Sequence, residues 1–161
     1  MHRPAWSRGE HFAAGAIYGT VVYVSILVLL DEDGTHPANA AVILGGTALV
    51  FWLAHIYAHL VPRIAAEGRL RTGRFLETAR DQAGILVAAA IPMVPLLLAI
   101  LGLLDDRTGL RVATAAGLAS LAGFTVQEAR AAGAGWWSSM WIAAVLLAGG
   151  LALLRLEVAL H

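Results

Sequence analysis

Ala83–Leu104 reads AGILVAAAIPMVPLLLAILGLL, 22 residues without one charged side chain. A bilayer's hydrocarbon is about 30 Å thick, and about 20 residues of helix cross it. The run is therefore long enough to span. It lacks the period-two alternation of a barrel strand, and a backbone in lipid must satisfy its own hydrogen bonds, so a helix follows. Four similar runs flank it: Phe12–Leu30 and Ala38–Val61 before, Leu110–Ala132 and Trp136–Leu154 after. The run at 110–132 is the most polar, rich in Ala and Gly, with Gln127, Glu128 and Arg130 toward its end. The last opens with Trp136, Trp137 and Trp141, residues suited to the headgroup boundary. The expected fold is all-α: an integral membrane bundle of five transmembrane helices, one domain over residues 1–161.

Composition agrees. The chain has 161 residues, 59% hydrophobic and only 14% charged, with a mean hydropathy of +0.73. A soluble domain carries about a quarter charged residues to wet its surface. Too few are present here for an ordinary soluble enzyme, a disordered tail or a nucleic-acid-binding domain. Eleven basic and eleven acidic residues cancel, so no global field draws phosphate or acidic partners. All the basic residues are Arg. Cysteine is absent, which excludes disulfides, Cys-based metal sites, iron–sulfur clusters and thiol catalysis. The composition resembles that of small multi-pass bacterial proteins high in Ala, Leu and Arg; the likeness implies the plasma membrane and no mechanism.

The breaks between runs read as turns. Asp31-Glu32-Asp33-Gly34-Thr35-His36-Pro37 is an acidic loop, and Asp105-Asp106-Arg107-Thr108-Gly109 a second polar turn. The longest connector, Pro62–Gln82, holds five Arg, and its part Arg74–Gln82 is expected to prolong the third helix into the cytoplasm. Orientation follows from Arg near the span ends. With the N-terminus cytoplasmic, eight Arg lie inside (residues 3, 8, 63, 69, 71, 74, 80 and 130) and three outside (107, 111 and 155). Five spans then put the C-terminus outside. The start also resembles a secretory signal ending at Ala38-Asn39-Ala40. Its apolar run of 19 residues exceeds the usual 7–15, and an acidic cluster intervenes, so an uncleaved span is expected.

Two features bear on packing. Gly15 with Gly19, and Ala115 with Ala119 and Gly123, are small-xxx-small patterns of the kind that lets helices approach closely, although Ala and Gly are frequent enough to produce such pairs by chance. Pro92 and Pro95 each remove a backbone donor near mid-membrane and mark a flexible segment or a static bend.

Polar groups at membrane depth are costly and are the natural candidates for function. His55 and His59 stand at i and i+4, on one helix face, with Tyr57 pointing off it. Counting rise from Ala40, His55 lies about 22 Å down and His59 about 28 Å, while Glu128 lies about 24 Å below Val112. His11, Asp81 and Gln82 fall near the same inner boundary as supporting groups. Convergence of His55, His59 and Glu128 would give the ligand set of a divalent metal such as Zn²⁺, or equally a proton relay. Haem is disfavoured, because His55 and His59 cannot clamp one iron from opposite faces. Ile56 stands where a metalloprotease helix would place its Glu, and no catalytic signature occurs elsewhere. The bland alternative is that His55 hydrogen-bonds across helices, His59 sits among headgroups and Glu128 pairs with Arg130 or with an Arg of the long connector. His36 and His161 look incidental.

The leading functional expectation is a small proton or divalent-cation channel or transporter with an inner-leaflet His/Glu site. It is expected to contact the lipid bilayer, to self-associate, and to bind no nucleic acid; no protein partner is legible. The alternatives are a non-catalytic accessory or scaffold subunit of a membrane complex and an intramembrane metalloenzyme acting on lipid. The absence of a catalytic motif weighs against an enzyme.

Overall fold

Each polar turn is built as a helix end. The computed structural model describes residues 8–68, 72–141 and 144–145, which are helical with short turns and contain no strand. Helix α1 (Arg8–Glu32) stops at Asp33-Gly34, where Gly34 takes φ +63 and the Thr35 N–H reaches back to the Leu30 carbonyl at 2.9 Å. Helix α2 (Pro37–Glu67) starts with Pro37, whose fixed φ and missing donor suit a first turn, behind a His36 cap. It runs through Pro62 and closes at Gly68, so the second run extends past the residue 61 read from hydropathy. Helix α5 (Asp106–Ala131) is capped by Asp105, whose carboxylate accepts from the Thr108 N–H at 2.9 Å.

The third run is divided. Helix α3 (Thr72–Asp81) and helix α4 (Gly84–Ile100) meet at Gln82-Ala83 with a bend of 47°. The break precedes the prolines; α4 remains one helix through Pro92 and Pro95, both buried. Leu101–Leu104, expected to finish this helix, form a turn, and α5 begins at Asp106. Among the described residues three helices are long and apolar enough to cross a membrane: Phe12–Glu32 of α1, Pro37–Pro62 of α2 and α5. The bent α3–α4 pair is a fourth if it counts as one span. The chain is thus an all-helical protein with the composition of a membrane bundle. Of the expected fifth helix, 136–154, residues 136–141 and 144–145 are helical and the rest lies outside the described residues.

Helices α1, α4 and α5 pack mutually, and α2 lies against α4 with lighter contact to α1. Small residues set the spacing. Gly84 faces the Phe12 backbone, Gly15 and Gly19 face Ile85 and Ala88, Gly109 faces Ala99, and Gly117 faces Val24. With little hydrophobic drive in lipid, such close approach supplies the dispersion contact that holds spans together. The Gly15–Gly19 pair is therefore a packing surface toward α4. The Ala115–Ala119–Gly123 stripe is not: all three are exposed, and α5 buries Leu110, Ala113, Gly117 and Leu121 instead. At the centre, Tyr23 and Leu27 meet Leu44 and Ala48 of α2 and Ile85, Ala88 and Leu96 of α4.

Candidate functional site

Glu128 lies in the last turns of α5, Asp81 closes α3, His55 and His59 lie in the second half of α2, and Pro92 and Pro95 lie in mid-α4. His55 sits on the flank of α2 that faces α1. Its Nδ1 lies 2.8 Å from the Phe51 carbonyl one turn back. A carbonyl oxygen only accepts, so Nδ1 is the donor in this contact and Nε2 is the ring nitrogen left for another partner. The imidazole is flanked by the rings of Tyr18, 5.8 Å away across the α1–α2 seam, and Phe51, 6.4 Å away; Tyr18 and Phe51 are themselves 5.9 Å apart. Half of Tyr18 remains exposed, so this aromatic trio lies at the outer margin of the bundle rather than in its core. His59, one turn on, is half-buried and engaged.

Glu128 is placed elsewhere. With Phe124 and Gln127 of α5 and Phe12 and Ala13 of α1 it lines a cavity of about 180 Å³. Ala13 and Tyr18, the α1 residues nearest the two sites, are five apart in sequence and so about 140° apart around the helix. His55 and Glu128 are thus held against different flanks of α1. Arg130 does not turn back to Glu128; its guanidinium lies 5.4 Å from the Trp136 ring. No group of three His, Cys, Asp or Glu among the described residues is disposed to hold a metal ion.

The supporting residues have structural places. Gln82 is buried at the α3–α4 break, against Gly15 of α1. Asp81 is half-buried and engaged. His11 lies in α1, but its side chain falls outside the described residues. Pro92 and Pro95 leave the Ala88 and Ile91 carbonyls without their helical N–H partners, since proline has none to give. Near them Tyr23 is fully buried, and its hydroxyl has no hydrogen-bond partner among the described residues.

At the opposite end, His36 has a definite task. Its Nδ1 accepts the Ala38 N–H at 3.2 Å, capping α2, and its Nε2 lies 3.5 Å from the Asp106 carboxylate at the start of α5. Arg111 of α5 approaches Asp31 of α1 at 3.9 Å. These contacts tie the α1–α2 turn to α5, although pairs this exposed contribute little individually. His161 is outside the described residues. Sequence reasoning missed Tyr18 and Phe51 at the His55 site: Phe51 was visible as the residue one turn before His55, whereas Tyr18 arrives from another helix. No protein-family description, curated protein or solved structure matches the chain.

Proposed function

We propose that the protein is a five-span plasma-membrane protein, N-terminus cytoplasmic and C-terminus outside, that conducts protons at a site built on His55. The excess of Arg at the end holding α3 supports this orientation. One observation carries the functional reading: the His55 Nδ1 is engaged with the Phe51 carbonyl, leaving Nε2 for another partner beside the half-exposed Tyr18. An imidazole has two ring nitrogens, either of which can accept or donate a proton, and that is the chemistry a proton relay needs. The divalent-cation version has less support, because the Glu128 carboxylate borders a different flank of α1 from His55 and His59. The carbonyls freed by Pro92 and Pro95 supply further polar groups inside the bundle. Reconstitution into liposomes with an imposed membrane potential and a pH-sensitive dye inside tests the proposal. Proton flux in the parent that falls to the empty-liposome rate in His55→Ala is expected. Absence of flux in the parent, or equal flux in the variant, rejects it.

A second reading, an accessory subunit or self-associating scaffold, is favoured by the outward face of α2. Val42, Val50 and Tyr57 are 74%, 65% and 71% exposed and, with Leu53, form one continuous apolar face. A partner helix or a second copy would cover it. Cross-linking from a cysteine placed at Val50, compared with one at Gly123, discriminates this reading from lipid contact alone.

A further inference from the structure

The cavity beside Glu128 is distinct from the His55 site and is made of different materials. Phe124, Gln127 and Glu128 lie at i, i+3 and i+4 on the last turns of α5 and so share one face. Opposite them, Phe12 and Ala13 of α1 complete the wall, the small Ala13 leaving the space open. Glu128 is half-buried, and the neighbouring cation, Arg130, is occupied with Trp136. No ion pair among the described residues neutralises the Glu128 carboxylate. The negative end of the α5 helix dipole adds to the same field. A half-buried carboxylate without a counter-ion, bordered by two phenyl rings, favours a cation that is weakly hydrated and partly apolar. A compact metal ion is poorly served, since one carboxylate and one carboxamide fall short of the six or more oxygens that Ca²⁺ or Mg²⁺ requires. The volume fits a small organic group: a cavity of about 150 Å³ accommodates benzene.

We propose that this cavity binds an organic ammonium group, with Glu128 as its counter-ion, the Gln127 carboxamide oxygen as a hydrogen-bond acceptor, and Phe12 and Phe124 as its apolar wall. Phe12 opens the first apolar span, which puts the cavity at the boundary where lipid headgroups lie. The ammonium group can therefore belong to a phospholipid headgroup or to a free amine. The site stands apart from His55, and its fate does not depend on proton conduction.

Two measurements on the full chain in neutral detergent test it. In the first, saturation transfer from protein to the methyl protons of methylammonium is measured. In the second, native mass spectrometry follows retention of phosphatidylethanolamine against phosphatidylglycerol of matched acyl chains. Transfer in the first assigns a free amine; preference for the ethanolamine lipid in the second assigns a headgroup. In whichever responds, Glu128→Gln is expected to weaken binding about tenfold, the scale of one charge-assisted contact. Phe124→Leu, which keeps apolar volume without a ring, is expected to weaken it about threefold. Neither response in the parent, or an unchanged response in Glu128→Gln, overturns the proposal. An unchanged response in Phe124→Leu together with loss in Gln127→Ala overturns the aromatic wall.

Discussion

Gly84 faces the backbone carbonyl of Phe12 so closely that no side-chain carbon fits between α4 and α1. The contact sits at the first turn of α4, two residues beyond the bend from α3, and sets where the two parallel helices begin to touch. Gly84→Ala must push the backbones apart, and an overpacked site of this kind costs about 1–3 kcal/mol. Gly123, in open space on α5, gives the opposite sign: Ala there is expected to stabilise by about 0.5–1 kcal/mol through helix propensity. Thermal unfolding in detergent, read by circular dichroism, should order the three proteins Gly123→Ala, parent, Gly84→Ala. Equal stability of the parent and Gly84→Ala would contradict the close α1–α4 contact.

Tyr23 is 0% exposed and its hydroxyl is unpartnered among the described residues. A buried polar group without a partner costs about 1–3 kcal/mol, so Tyr23→Phe should raise the unfolding midpoint while leaving the core packing intact. A lowered midpoint would mean that the hydroxyl finds a hydrogen-bond partner in the folded protein.

Trp52 ties α2 to α3. Its indole N–H donates to the Ala79 carbonyl of α3 at 3.1 Å. Trp52→Phe keeps the apolar ring and removes the donor, at a cost of about 1 kcal/mol. The loss is expected to be local, as faster amide hydrogen exchange in α3 with α4 and α5 unchanged. Uniform acceleration through the bundle would show instead that Trp52 acts as a core residue.

Acid should loosen the start of α5. The Thr108 backbone N–H, helped by the Thr108 hydroxyl, holds the Asp105 carboxyl below the usual carboxylate range. A depressed value in the folded state means that the cap stabilises α5 above about pH 4 and that this support is lost as pH falls through the lowered value. Exchange at the first-turn amides of α5 should accelerate below that range in the parent. Asp105→Asn caps without titrating, so its acid response should be flat. Parallel curves for the two proteins would assign the acid effect to other groups.

Much of the architecture was legible because its causes are local. Long apolar runs, the acidic turn before Pro37 and the Asp105 turn mark helix ends by chemistry that operates within a few residues. The break at Gln82-Ala83 was not legible, since no helix breaker stands there except Gly84, which serves the contact with α1. The prolines, which drew attention as the place to bend, lie within an unbroken helix. Position along the helix axis follows from rise per residue for His55 and Glu128. Rotation about each helix has no such local origin, because it depends on which faces the neighbours cover. That rotation places His55 beside Tyr18 and Glu128 beside Phe12.

From the residues alone came an all-helical chain, helices long and apolar enough to cross a membrane, and the turns between them. These follow from hydration and backbone hydrogen bonding, which a segment feels wherever it sits. Only the packed helices decided that His55 lies beside Tyr18 while Glu128 lines a cavity with Phe12 and Ala13, that Gly15 and Gly19 form an interface while Gly123 does not, and that Arg130 turns to Trp136. Such choices depend on which surfaces touch, and contact between distant segments exists only once the chain is folded.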